Sequence, residues 1–145
     1  MCHPAATRRG FTVLELVTVV AIAGLVCFAT LHRLHAHLDR LAARSAVAAA
    51  ALLVARAREE AIVRHALVTL HVDTATATVT LSALGRRFAR AALGSEHGVR
   101  LAASRDSIAF DVRGLGYGAA NTTLIARRGR AADTLVVSRL GRTRY

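Results

Sequence analysis

From Phe11 to Leu31 the chain runs 21 residues with Glu15 as its only charge, directly behind Arg8, Arg9 and Gly10. As a helix this run spans about 31 Å, close to the hydrocarbon thickness of a bilayer. A cleaved secretory signal would place its small residue after a shorter apolar region. Here the glycine comes first, so a cut at Gly10 leaves the apolar helix on the mature chain. The arginines hold the short leader on the cytoplasmic side and send the remainder outward. The segment is an anchor, with 1–10 as leader, 11–31 as the membrane half of a helix, and the rest of the 145 residues available for one modest domain.

Glu15 is costly in such a setting, because an intramembrane carboxylate needs a partner or a route to the membrane edge. Gly10-Phe11-Thr12-Val13-Leu14-Glu15 resembles the prepilin processing motif of type IV pilins and type II secretion pseudopilins. The resemblance implies cleavage after Gly10 by a prepilin peptidase and methylation of the new N-terminal Phe11. It further implies that Glu15 pairs with the freed Phe11 amine of a neighbouring subunit during filament assembly. The alternative is a plain signal anchor whose acid sits near the membrane edge.

Between His32 and Ala66 there is no proline or glycine, and Ala, Leu and Arg predominate. The helix is therefore expected to continue through 32–66 as an amphipathic half. Leu34, Leu38, Leu41, Ser45, Ala48, Leu52 and Ala55 recur in steps of four and three. That stripe suits packing against a sheet or against other helices. Arg56, Glu60 and Arg64 form i, i+4 pairs on the solvated side.

From residue 67 to 145 the pattern changes to β. Alternation at Val68, Leu70 and Val72, a turn near Asp73, and alternation through Leu81 predict a hairpin. Residues 85–97, with Arg86, Arg87 and Arg90, are expected as a surface loop. Further strands are expected at 98–103, 107–113, 121–127 and 133–138, with a last short one near 141–145. The expected class is α+β, a long N-terminal helix laid on an antiparallel β domain. The stretch from Ala51 to Leu70 and the ending Thr134–Tyr145 resemble the H-type pseudopilins and FimT-like minor pilins. The region 82–106 resembles them poorly, and the chain lacks the tryptophan that many relatives carry there.

The remaining signals exclude more than they assign. All 20 basic residues are arginine, as a GC-rich genome would produce, so there is no P-loop or Schiff-base lysine. Gly114-Leu115-Gly116-Tyr117-Gly118 precedes no amphipathic helix and is expected as a turn between strands. The two cysteines, Cys2 and Cys27, both precede the β domain, which excludes a disulfide framework there. His32, His35 and His37 lack a completing acid or thiol, so no metal or other cofactor is expected. With no nucleophile elbow or paired carboxylates, no enzyme is expected either.

From residue 32 onward, 18 arginines face 8 acids, a net of +10. Such a field favours anionic partners, although solubility alone is an equal explanation. Gly141-Arg142-Thr143-Arg144 resembles an element linked to DNA binding in FimT-like minor pilins. In a strand Arg142 and Arg144 would share one face about 7 Å apart, with Arg127, Arg128 and Arg130 extending the patch. The expected role is a minor subunit of a type II secretion pseudopilus or a type IV pilus, with duplex DNA binding for uptake as the alternative. The partners are other pilin or pseudopilin subunits, the prepilin peptidase and the membrane. The location is the bacterial inner membrane, single-pass, with the C-terminal domain in the periplasm.

Overall fold

The computed structural model describes residues 12–118 and 121–145. Gly10 and Phe11, where processing is expected, and the expected leader 1–10 lie outside them. The chain divides into two compact units, one ending at His35 and the other running from Ala36 to Tyr145. Helix α1 covers Val13–Val63, 51 residues, without a glycine or proline after Gly24 to interrupt it.

In the first unit, residues 13–31 are exposed along the helix. Its hydroxyls are satisfied within the helix. Thr18 Oγ1 donates to the carbonyls of Leu14 and Glu15 at 3.1 and 2.9 Å, and Thr30 Oγ1 donates to those of Val26 and Cys27. Such back-bonding lets threonine sit in an apolar segment without an orphaned donor. Cys27 is a free, exposed thiol on this helix.

In the second unit the helix buries Ala43, Ala46, Val47, Ala50, Ala51, Leu53, Val54, Ala57 and Ala61. Six of these nine are alanine, so the buried face of the helix is made mostly of small side chains. The expected stripe is the other one. Leu38, Leu41, Ser45, Ala48, Leu52 and Ala55 are exposed, and Leu52 is 71% exposed while Leu53 is 9%. The sequence carries two apolar stripes; the alanine one fits the sheets, and the leucine one is left facing out. The helix stops at Val63, three residues before the expected end, because His65 takes a left-handed φ of 46°. The Ala66 N–H then bonds to the Ala61 carbonyl at 3.3 Å, the long-loop closure of a Schellman-type end.

The strands are β1 Val68–Asp73, β2 Thr78–Ala83, β3 Arg86–Ala91, β4 Arg100–Ala103, β5 Ser107–Phe110, β6 Gly116–Tyr117, β7 Thr122–Arg128, β8 Ala131–Val137 and β9 Thr143–Arg144, with a short helix α2 Leu93–His97 between β3 and β4. They form two sheets, ordered β3-β2-β1-β5-β6 and β4-β7-β8-β9. Every pairing is antiparallel. The core joins the alanine face of α1 to both sheets through Val68, Leu81, Leu93, Phe110, Leu135 and Val137.

The 85–97 segment is not the expected loop. Residues 86–91 form an edge strand and 93–97 a helical turn. Phe88, Ala89 and Ala91 pack on the core, and the Arg64 guanidinium lies 4.4 Å from the Phe88 ring centroid. The exposed arginines masked a strand whose stems and small residues were apolar enough to dock. The strand expected at 107–113 ends at Phe110. Asp111 turns the chain there, its Oδ1 accepting the N–H of Arg113 and of Leu115, both at 2.9 Å. The glycine run contributes a two-residue strand, β6, as well as a turn.

Candidate functional site

Glu15 stands in the first turn of α1. Thr12 sits just before it, and Thr12 Oγ1 accepts the Glu15 N–H at 3.2 Å. Thr-x-x-Glu is the capping-box spacing, and an acid in the first turn also complements the helix dipole. Helix capping therefore gives Glu15 a local role within its own chain. Among the described residues its carboxylate has no basic partner within 4.0 Å.

The second candidate surface is the outward leucine face of α1. Leu52 and Val63, 71% and 70% exposed, flank a shallow groove with Ala55, Arg56, Glu59 and Glu60. Glu60 is held from both sides by Arg64 Nε at 2.5 Å and Arg56 Nε at 3.8 Å. The expected i, i+4 pairs are present and border the apolar surface.

The arginines are divided among three places. On sheet β4-β7-β8-β9, burial alternates so that Leu101, Leu124, Ala126, Leu135 and Val137 face the core. Arg100, Arg127 and Arg144 occupy the opposite face, and all three are exposed. Arg142 is also exposed, with half-buried Thr143 between it and Arg144. It leaves the β8–β9 turn, where Ser138 N–H donates to the Arg142 carbonyl at 2.8 Å and Ser138 Oγ accepts the Arg142 N–H at 3.1 Å.

Arg128 does not join this face. Its Nε lies 3.2 Å from Asp39 Oδ1 on α1, and its Nη1 donates to the His97 carbonyl at 2.9 Å. It is a structural tie between the β7–β8 turn, α1 and α2. Arg130 is elsewhere again, in a groove with Arg40, Arg44, Asp133 and Tyr145. Of the five arginines singled out by sequence, two, Arg127 and Arg144, share a face. The third member of that face, Arg100, was missed because its register opposite Arg127 has no sequence signature.

The C-terminal turn is fixed from inside by Arg58. Its Nε donates to the Gly114 carbonyl at 3.0 Å and its Nη1 to the Gly141 carbonyl at 3.3 Å. One helix side chain thus joins the β5–β6 turn of one sheet to the β8–β9 turn of the other. Both glycines have left-handed φ, 72° and 70°. A Cβ on Gly141 would stand 2.7 Å from Arg58 Cδ, and one on Gly114 2.9 Å from Ile62 Cδ1. Glycine is required at both for conformation and for space. Among the described residues no group of three His, Cys, Asp or Glu side chains is placed to hold a metal.

No family model matches the chain. It is 33% identical to the pilin-like protein PilA1 of Thermus thermophilus over 155 aligned residues, covering 95% of this chain and 98% of that one. Its fold is similar to the type IV minor pilin FimU of Pseudomonas aeruginosa, with a TM-score of 0.60, 14% identity, and coverage of 73% of this chain and 89% of that one. It is also similar to the minor pseudopilin EpsH of the Vibrio cholerae type 2 secretion system, with a TM-score of 0.58, 16% identity, and coverage of 70% and 94%. With a helix long and apolar enough to cross a membrane and a β domain of this architecture, the chain belongs to the type IV pilin-like proteins and has the fold of their minor pilins and pseudopilins.

Proposed function

We propose that this chain is a minor structural subunit of a type IV pilus or a type II secretion pseudopilus. In this reading it is inserted in the bacterial inner membrane with its β domain in the periplasm, cut by prepilin peptidase between Gly10 and Phe11, and drawn into a filament through α1. The observation that carries the reading is the outward face of α1. Leucines at 38, 41 and 52 stay exposed on a helix whose other face is already covered, and a surface of that kind marks a protein–protein contact. Glu15 and the freed amine of Phe11 set the axial register between neighbouring subunits. The test is intact-mass measurement of the membrane-extracted protein, together with co-assembly of Glu15→Ala. Mature mass beginning at Phe11, and normal insertion with lost co-assembly for the variant, are expected. Retention of residues 1–10 beside an active peptidase, or normal co-assembly of the variant, refutes it.

A second reading, duplex DNA binding for uptake, draws support from the net +10 beyond residue 32 and from the exposed Arg142 and Arg144. Detergent-solubilised full chain titrated with duplex should lose affinity steeply as salt rises, and Arg142→Ala with Arg144→Ala should weaken it. Parent-like binding by that double variant removes these arginines from any DNA site.

A further inference from the structure

The geometry points to Arg100 and Arg127 as a phosphate clamp, the second anchoring point for duplex DNA on the outer face of sheet β4-β7-β8-β9. This rests on the DNA-binding reading and extends it to residues that the C-terminal element does not include.

Arg100 and Arg127 are direct cross-strand partners in the β4–β7 register. Both are exposed, and alternation puts both on the outer face. Directly opposed residues have Cβ atoms about 5 Å apart, and like charges so placed destabilise a sheet. Among the described residues neither guanidinium has a carboxylate within 4.0 Å. The chain holds two cations face to face, and an oxyanion between them would convert that repulsion into two charge-assisted bonds.

The rest of the face indicates which oxyanion. Arg127 is level with Ala132 of β8, and Arg144 of β9 is level with Val136. Four residues along a strand and two strand spacings across give a diagonal of about 17 Å between Arg127 and Arg144. Between them the outer positions are Ile125, Thr123, Ala132, Thr134 and Val136, a row without an acid. A phosphate-bearing rod can therefore lie across the face and meet arginines at both ends. That separation is suited to reaching the two phosphate ridges on either side of a major groove about 12 Å wide. With no base-reading side chain between the two ends, contact is confined to the backbone and is indifferent to sequence.

The experiment uses the full chain in detergent and a short fluorescent duplex, titrated between about 50 and 200 mM salt. Parent, Arg100→Ala with Arg127→Ala, Arg100→Lys with Arg127→Lys, and Arg142→Ala with Arg144→Ala are compared. Loss of two phosphate contacts makes the slope of log affinity against log salt shallower by about 1.8, so the alanine pair gains about twelvefold less than the parent on lowering the salt across that range. The lysine pair keeps most of the slope. The melting temperature of the alanine pair should equal or exceed that of the parent, because a like-charge contact is removed. Parent-like affinity and slope for the alanine pair, with binding weakened only in the 142/144 pair, overturn the clamp and leave DNA binding standing. No duplex binding by the parent defeats the DNA reading itself. Binding lost together with a lowered melting temperature makes the pair structural and overturns the proposal. A defect seen with anionic lipid vesicles and not with duplex overturns the choice of ligand.

Discussion

Replacing Arg58 with alanine removes both bonds that hold the β5–β6 and β8–β9 turns to the helix, at 3.0 and 3.3 Å. Bonds from a charged donor contribute about 1.5–3 kcal/mol each. Arg58 is only half-buried, so water partly replaces it at the two carbonyls, and about 1 kcal/mol apiece is the appropriate figure. A loss near 2 kcal/mol lowers the melting temperature of a domain this size by about 8 °C. Lysine keeps the charge but cannot reach both carbonyls with one planar fork, so Arg58→Lys should fall between parent and alanine. The assay is thermal unfolding of the detergent-solubilised chain followed by circular dichroism in the β region. A melting temperature for Arg58→Ala within about 2 °C of the parent would show that the two turns are held by their own hydrogen bonds, and the clasp would be refuted.

Leu53→Ala should cost about 2–4 kcal/mol of stability by opening a cavity under the sheets, while Leu52→Ala, one residue away, should cost under about 0.5 kcal/mol in the isolated subunit; denaturant unfolding separates them, and equal losses would mean the buried face is misassigned. Gly114→Ala should destabilise by about 1–2 kcal/mol because its left-handed φ and its contact with Ile62 both oppose a Cβ, as a lowered denaturation midpoint would report. The carboxyl of Asp111 is held below the ordinary aspartate range by the N–H of Leu115 and then by Arg113, against an opposing effect of burial. A depressed folded pKa gives stability that is present above the unfolded pKa and fades as pH falls from there through the folded value. Acid unfolding of Asp111→Asn should accordingly be less steep than the parent's below about pH 4; an unchanged acid profile would exclude the Asp111 turn as a contributor.

The apolar N-terminal half of the helix, its long continuation and the strand–turn grammar were legible because each rests on local information: an uninterrupted apolar run, the absence of helix breakers, and period-two alternation. The hairpin at Asp73 is a good instance, since its side chain caps Ala75, Thr76 and the Thr76 hydroxyl. Three features were not legible. The sheet-facing side of α1 is alanine, and a scale that scores leucine highest selects the outward stripe instead. Strand β3 hides behind three arginines whose charges lie in water while Phe88 and two alanines dock. The face shared by Arg100, Arg127 and Arg144 depends on the pairing of strands far apart in sequence, which no local pattern encodes. The same pairing sorted Arg128 and Arg130 away from the C-terminal arginines, the first to Asp39 and the second to the groove of Arg40 and Arg44.

The two sheets have four outer strands: β3 and β6 in one, β4 and β9 in the other. Of these, β6 and β9 are two residues long, and β3 reads Arg-Arg-Phe-Ala-Arg-Ala. The fourth, β4, opens on Arg100 and runs four residues. Short or positively charged borders resist strand-to-strand joining between copies, since two such borders repel before their backbones can pair. One copy of the chain is thereby protected from sticking to another through its sheets. In the proposed filament, growth would be channelled to the leucine face of α1, bordered by Arg56, Glu59 and Glu60, while the arginine-rich rims insulate the sheets.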